Sequence, residues 1–212
     1  MSLRGAKSGE PLLEAAALCA DKLRLLADHL IDRDVDTDVL DKLGSHLDVA
    51  LRDLSPLGPA PTGISREEVN GAVGAVGGIA NAFAPPLTIT HYPDRAEGRC
   101  VLTRVHEGPA GFAHGGVAVL LLDELCAQVP ELLGTERVTV AMTVRYRRPV
   151  PLHRPLLLVA RHCQEGGVVE VVLMTEAEPE NTLMRAEAKL VQLRPDQVDR
   201  IRRAALERPL AP

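Results

Sequence analysis

The sequence predicts an α+β fold in which an antiparallel sheet wraps around one long apolar helix. The helix is predicted from GGVAVLLLDELCAQ, an almost uninterrupted apolar run from Gly115 to Gln128 that is followed by Pro130. Two short segments rich in β-branched residues come before this run, and four more follow it. This order is the one expected when a single helix packs on one antiparallel sheet.

The strand segments are separated by turn residues such as Gly166-Gly167 and Pro179-Glu180-Asn181. The two before the helix are PLTITHY (residues 86–92) and GRCVLTRV (98–105). The four after it span residues 137–150, 156–164, 168–178 and 183–193. A last segment, PDQVDRIRRAAL, predicts a short basic helix near the C-terminus.

Two further helices are predicted before the sheet, the first over residues 11–32. In the second, leucines recur at three- and four-residue spacing and so line one helix face: Leu40, Leu43, Leu47, Leu51 and Leu54. Thr37 is the predicted N-cap of this helix, and Ser55-Pro56 its predicted end. The pair of helices carries more acidic than basic residues, which argues against a helix-turn-helix that binds DNA.

A Pro/Gly-rich linker, PLGPAPTGIS (residues 56–65), follows the second helix. Ser65 and Glu68 have capping-box spacing, which predicts a short helix there. The glycines of residues 71–78 are interpreted as a connector, because no Gly-Lys-Ser/Thr of a phosphate loop follows them. The predicted organisation is a helical extension with its linker (1–62), a strand-and-helix domain (63–194) and a C-terminal helix or tail (195–212).

Composition excludes several functional classes. A net charge of −5 at pH 7, together with only two Phe, two Tyr and no Trp, argues against nucleic-acid binding. No window is apolar enough to cross a membrane, and no signal peptide is evident, so a cytoplasmic location is expected. The four cysteines are far apart and are expected to be reduced. No zinc site, other metal site or G-x-S-x-G serine elbow is indicated.

The motif His114-Gly115-Gly116, with Asp123 nine residues after the histidine, resembles that of the acyl-CoA thioesterases of the PaaI-like branch of the hotdog superfamily. Three further stretches are similar to that branch: NAFAPPL (81–87), Glu107-Gly108-Pro109, and RYRRPVPL (145–152). The resemblance covers roughly residues 80–193 and implies a hotdog fold. It also implies hydrolysis of acyl-CoA to a free acid and coenzyme A, with no cofactor, because coenzyme A is part of the substrate.

The glycines stand at the start of the predicted helix. The first backbone N–H groups of a helix lack internal acceptors and lie at the positive end of its dipole. A thioester carbonyl that meets the Gly116 N–H would be polarised, and glycine permits the close approach. Gly115 belongs to the same turn, and His114 is expected to add a hydrogen bond or to shape that turn. An ordinary glycine turn into a helix is the alternative.

Asp123 has apolar neighbours three and four residues away on the helix, so a partly desolvated carboxylate is expected. The resemblance implies that this residue acts as general base on water or as nucleophile. A carboxylate that merely pairs with an arginine is the alternative. Glu124 faces another direction and is interpreted as structural or secondary.

The distance between the two groups predicts a dimer. Asp123 lies roughly 10 Å along the helix from Gly116, too far for one helix to present both to a single carbonyl carbon. Two such helices related by a two-fold axis can do so, because the glycine end of each then faces the aspartate of the other. We therefore expect a homodimer, or a dimer of dimers that forms a homotetramer.

Other residues are candidates for the site. Thr139 occupies a position where related thioesterases often carry a hydroxyl, and it is expected to orient the attacking water. Some relatives carry an asparagine six residues before the motif histidine, where this chain has Gly108. The arginines of residues 145–161 form a basic cluster on an acidic chain, and Arg147 and Arg148 are predicted to bind the phosphates of coenzyme A. Asn81 is a further predicted substrate-binding residue.

The predicted function is therefore hydrolysis of a small-molecule acyl-CoA, with Asp123, Gly116, His114, Gly115 and Thr139 as catalytic residues. A non-catalytic protein that binds or senses acyl-CoA is the alternative, which Gly108 and the helical extension favour. Hydrolysis of thioesters on an acyl-carrier protein is a third possibility. The alternation of a strand places Arg147 and Arg148 on opposite faces, so one ligand is not expected to contact every arginine of the cluster.

Overall fold

A computed structural model describes residues 10–54, 74–129, 132, 134, 136–163 and 167–206. The chain divides into two compact units. One comprises residues 1–86 and 103–105, and the other residues 87–102 and 106–212. The predicted boundary at residues 62 and 63, the linker and the short helix at Ser65 lie outside the described residues.

The first unit contains two helices, α1 (Glu10–Asp32) and α2 (Thr37–Leu54). The predicted N-cap Thr37 is wrong by one residue. Asp36 caps α2, because its Oδ1 accepts a hydrogen bond from the Val39 N–H at 2.8 Å. The leucine stripe of α2 is not part of a core, since none of the side chains of this helix is buried.

The second unit contains one helix under a sheet. The strands are β1 (Thr88–Tyr92), β2 (Arg95–Val101), β3 (Arg137–Tyr146), β4 (Pro155–His162), β5 (Val168–Thr175) and β6 (Met184–Gln192). They form one antiparallel sheet in the order β1-β2-β4-β5-β6-β3. The helices are α3 (Gly115–Cys126) and α4 (Pro195–Leu206). The predicted hotdog arrangement of a sheet around one helix is confirmed.

The core lies between α3 and the inner face of the sheet. Leu121, Leu122 and Leu125 of α3 are fully buried against alternate residues of the strands, which include Leu156, Leu158, Val171 and Leu173. The alternation explains why β4 and β5 contain so many consecutive apolar residues: one face packs on α3, and the other is only half exposed. Burial of these leucines accounts for the helix being apolar on most of its faces.

Several predicted strand ends are corrected. The second strand was expected at residues 98–105, but β2 runs from Arg95 to Val101, because Tyr92 pairs with Arg95 across a two-residue turn. Residues 104–106 form a 3₁₀ turn instead of extending the strand. The strand predicted over residues 137–150 ends at Tyr146, before the two arginines.

Candidate active site

His114 caps the N-terminus of α3. Its backbone is extended, and its Nδ1 accepts a hydrogen bond from the Gly116 N–H at 3.0 Å. Acceptance through Nδ1 requires a neutral ring whose proton is on Nε2. The Gly115 N–H has no acceptor among the residues that the structure describes. The imidazole thus occupies the amide that was predicted to bind the thioester carbonyl, and the catalytic role of His114 stays a prediction.

Asp123 and Gly116 lie on the same face of α3. This face carries Gly116, Leu120, Asp123 and Ala127 at four- and three-residue spacing, and all four are half-buried or exposed. The opposite side of the helix is fully buried in the core. Leu120, between the glycine and the aspartate, leaves 38% of its surface exposed. One face of α3 thus presents an amide-bearing turn, an apolar side chain and a carboxylate.

The Thr139 hydroxyl donates a hydrogen bond to Asp123 Oδ1 at 2.9 Å. Thr139 lies next to a β-bulge, since the pairing of β3 with β6 shifts by one residue between Thr139 and Ala141. Bulges re-aim side chains locally, which explains why a threonine near the start of an edge strand reaches the helix. The structure brings the threonine hydroxyl into direct contact with the carboxylate, and its predicted role in orienting water stays a prediction.

Glu124 points elsewhere, as the helix geometry predicted. It is half-buried, and its Oε1 accepts a hydrogen bond from Gln128 Nε2 at 3.3 Å. Burial raises the pKa of the Glu124 carboxyl above its ordinary value, the Gln128 hydrogen bond opposes the shift, and the charge of Asp123 adds to it. Glu124 thus holds its proton more tightly in the folded chain than in the unfolded chain.

Glu124→Gln should therefore change the pH dependence of stability. Protonated Glu124 favours the folded state below the ordinary glutamate pKa of 4.5, and this contribution is lost as the pH rises through the raised pKa of the folded state. We expect the variant to gain stability relative to the natural chain between about pH 4 and about pH 7. Urea unfolding at both pH values measures the difference in free energy of unfolding. A difference that is constant with pH would contradict the expectation.

A cavity of about 370 Å³ adjoins the start of α3. Gly115, Tyr146, Arg147 and Arg148 line it, and the rest of its wall is mostly apolar. The two arginines were expected on opposite strand faces, but both line this cavity. The reason is that β3 ends at Tyr146, and the N–H groups of Arg147 and Arg148 both donate to the Leu183 carbonyl, at 2.9 and 3.0 Å.

Gly108 lies in a tight turn that leaves no room for a side chain. A Cβ on Gly108 would lie 2.8 Å from the Cα of His114, which is backbone. The turn is held by the Gly108 N–H, which donates to the Phe112 carbonyl at 2.9 Å, and by Glu107 Oε1, which accepts from the Gly111 N–H at 2.7 Å. The absence of the asparagine of some relatives thus has a steric cause in this chain.

Gly108→Asn is expected to lower the free energy of unfolding by about 1–3 kcal/mol and to bring no gain in activity. The cause is displacement of the His114 backbone, which caps α3. Gly108→Ala adds only the Cβ and should cost nearly as much, which separates the steric effect from that of the amide. Thermal unfolding of the natural chain and the two variants measures the loss of stability. An asparagine variant that is as stable as the natural chain and more active would contradict this explanation.

Asn81 belongs to the other compact unit. Its Nδ2 donates to the Gly74 carbonyl at 3.1 Å, and its Oδ1 accepts from the Phe83 N–H at 3.0 Å, so it stabilises a turn. Its predicted contact with the substrate stays a prediction.

Within the described ranges, no group of three His, Cys, Asp or Glu side chains is placed to hold a metal ion. In the same ranges, none of the helices combines the length and apolarity that crossing a membrane requires.

Comparison with known proteins finds a similarity to thioesterases. Residues 110–171, from the turn before His114 into β5, match the model of the Thioesterase superfamily. A crystal structure described as a thioesterase superfamily protein is 26% identical, with a TM-score of 0.71. The match covers 84% of this chain and 90% of that one. Residues 110–171 of the hotdog domain are thus similar to the thioesterase superfamily.

Two other solved structures match the chain at lower similarity. The Escherichia coli PaaI protein from the phenylacetic acid degradation operon is 18% identical, with a TM-score of 0.48, and the match covers 60% of this chain and 88% of that one. A Streptococcus mutans protein bound to acetyl-CoA is 20% identical, with a TM-score of 0.46, and the match covers 50% and 88%. No curated protein matches the chain.

Two features of this candidate site escaped prediction from sequence. Histidine is not among the preferred N-cap residues, so the cap that His114 makes on Gly116 has no sequence signal. The Tyr146 ring packs on the helix start, where a Cβ on Gly115 would lie 3.0 Å from its Cε1. Glycine at position 115 is thus explained by the approach of the ring, and Tyr146 is a wall of the cavity.

Proposed function

We propose that the chain is a cytoplasmic acyl-CoA thioesterase, which converts an acyl-CoA and water to a carboxylic acid and coenzyme A. The observation that supports this most is the Asp123 carboxylate, held by the Thr139 hydroxyl at 2.9 Å on the same face of α3 as Gly116. Hydrolysis of a thioester needs a base and a group that stabilises the oxyanion. Asp123 is the proposed base, and the start of α3 the proposed oxyanion site.

In the proposed reaction, Asp123 takes a proton from water as the water oxygen attacks the thioester carbon. The negative charge that develops on the carbonyl oxygen is stabilised by the Gly116 N–H and the positive end of the helix dipole. The C–S bond then breaks, and the proton returns to the sulfur of the departing coenzyme A. Attack by the Asp123 carboxylate itself, followed by hydrolysis of the resulting anhydride, would use the same groups.

His114 is proposed to hold the Gly116 N–H in position until the substrate binds. In the free chain its Nδ1 holds the Gly116 N–H, so a substrate carbonyl would replace the imidazole as acceptor. Because Nδ1 already satisfies this N–H, the amide is oriented before the substrate arrives. The Gly115 N–H, which has no acceptor in the described part of the chain, would be the second donor.

The proposed enzyme is a homodimer. Asp123 and Gly116 share a partly exposed face of α3, and β3 is the last strand of the sheet order. This edge strand exposes apolar side chains, among them Val140 at 54%. An exposed apolar edge is a template for pairing with another chain. A second copy that covers this edge and this face of α3 would bring its own Gly116 towards Asp123.

Release of free thiol from a panel of acyl-CoAs tests the function. We expect turnover of at least one acyl-CoA, and the panel gives the preferred acyl group. Tight binding of acyl-CoA without thiol release would favour the non-catalytic sensor. The same acyl group presented on an acyl-carrier protein tests the third possibility.

A further inference from the structure

Helix α2 carries a leucine stripe that the chain itself does not cover. The helix has 18 residues, and none of its side chains is buried. Leu51 and Leu54 leave 64% and 61% of their surface exposed. Most helices in proteins owe their stability to the packing of an apolar face, and Gly44 in the interior of α2 lowers its intrinsic stability further. We propose that α2 pairs antiparallel with α2 of a second copy of this chain, leucine stripe against leucine stripe.

The spacing of the leucine stripe suits pairing with itself. At 3.6 residues per turn its five leucines lie within an arc of about 80°. Their steps along the chain, of three, four, four and three residues, are symmetric about Leu47. Two antiparallel helices centred on Leu47 therefore set Leu40 opposite Leu54 of the second copy, and Leu43 opposite its Leu51. A two-fold interface requires this self-complementarity, which a partner of another kind would not require.

The charges beside the leucine stripe are complementary in the same arrangement. Asp41 and Arg52 lie on one side of the stripe, and Lys42 and Asp53 lie on the other. The two-fold axis of an antiparallel pair sets each side of the helix against its own copy. Asp41 then lies within about 1.5 Å of the level of Arg52 in the second copy, measured along the helix axis, and Lys42 equally close to the level of Asp53. Opposite charges thus flank the leucines on both sides.

The helix dipole favours the antiparallel direction. A parallel pair would also match leucine with leucine, but it would set the two positive N-terminal ends side by side. In an antiparallel pair, the N-terminal end of each helix lies beside the C-terminal end of the other, which is electrostatically favourable. The first turn, with Asp38, then lies towards the last turn of the second copy, which contains Arg52.

A membrane surface suits the leucine stripe less well than a second copy. Helices that lie on membranes are rich in Lys and Arg, because many lipid headgroups are anionic. The sequence of α2, TDVLDKLGSHLDVALRDL, has four Asp against one Lys and one Arg. A net negative helix with paired opposite charges beside its leucines is better matched by itself.

Crosslinking through single cysteines tests the pairing in the full chain. Cys19 and Cys163 are first replaced by Ser, because the other two cysteines are buried. Leu47→Cys should then give a covalent dimer with a short bis-maleimide, since the two copies of this position face each other. Val49→Cys is the matched control, because Val49 is 48% exposed and lies on the opposite side of α2. Its crosslinking should stay at the background of the Ser-substituted chain.

Two further positions test the antiparallel direction. Leu40→Cys alone should not crosslink, because the two copies of this position would lie roughly 21 Å apart along the helix axis. The double variant Leu40→Cys/Leu54→Cys should crosslink, since each cysteine then faces the other one in the second copy. Adding Leu47→Glu to the double variant should lower the yield about tenfold or more, because pairing would bury two facing carboxylates. Adding Val49→Glu instead should leave the yield unchanged.

These measurements do not use catalysis, so they test the pairing separately from the proposed thioesterase and from its proposed dimer at α3. If Leu47→Cys crosslinks no better than Val49→Cys, the pairing is overturned, and the leucine stripe binds something other than its own copy. If Leu40→Cys alone crosslinks as fully as the double variant, the antiparallel arrangement is overturned. Far-UV circular dichroism of each variant checks that the helix content is kept.

Discussion

Asp123→Asn is expected to lower kcat for acyl-CoA hydrolysis by about 10²–10⁴-fold, with a small effect on KM. The amide has nearly the size of the carboxylate, and its Oδ1 can still accept the Thr139 hydroxyl. It cannot take a proton from water, and it cannot attack a thioester. Steady-state thiol release, together with thermal unfolding to show that the fold is kept, measures the effect.

Glu124→Gln is the matched control for this loss. Glu124 is the adjacent carboxylate, and it lies on another face of α3 with Gln128 as its partner. Its amide variant should keep kcat within a few-fold of the natural chain. A large loss in both variants would indicate a general effect of charge on α3, and an Asp123→Asn chain that keeps most of its activity would remove Asp123 from the role of base.

The fold could be predicted from the sequence because its strongest signals are local. The apolar run at α3 and the β-branched segments each bury a face in the core. Their hydrophobic pattern therefore indicates which residues form the helix and which form the strands. The ends of elements depend on pairing between segments. The two-residue turn before Arg95 sets the register in which β2 pairs with β1. The residue types at positions 95–97 do not by themselves show that the strand begins there.

The geometry of the candidate site could be predicted only in part, for the same reason. The positions of Gly116 and Asp123 on one helix face follow from helix geometry. Contacts with other elements do not follow: the bulge beside Thr139 aims its hydroxyl at Asp123, and the end of β3 brings Arg147 and Arg148 to one cavity. These contacts depend on how β3 meets β6 and the turn at Leu183, which are distant in sequence.

The proposed dimer predicts a large loss of activity when either half of the shared site is changed. Asp123 and Gly116 are about 10 Å apart along one helix, so a carbonyl that contacts one cannot have its carbon at the other. If two copies place their α3 faces against each other around a two-fold axis, each site takes its aspartate from one chain and its glycine turn from the other. A working site then needs an intact Asp123 in one chain and an intact Gly116 in the other.

Gly116→Val is expected to inactivate the chain by about 10²-fold or more, because it removes the approach to an oxyanion donor. Its Cβ would lie 3.1 Å from His114 Nδ1, so the branched side chain crowds the imidazole and covers the amide. The variant should still form dimers, which size-exclusion chromatography with light scattering checks. Gly116→Val thus removes the oxyanion donor of the proposed site, and Asp123→Asn removes its base.

A heterodimer of one Asp123→Asn chain and one Gly116→Val chain, isolated through two different affinity tags, tests the shared site most directly. One of its two sites would combine both lesions, and the other would be free of lesions. A site shared between two chains predicts about half the activity of the natural dimer, although both parent homodimers are nearly inactive. A verified heterodimer as inactive as its parents would contradict it, because the aspartate and the glycine turn would then act within one chain.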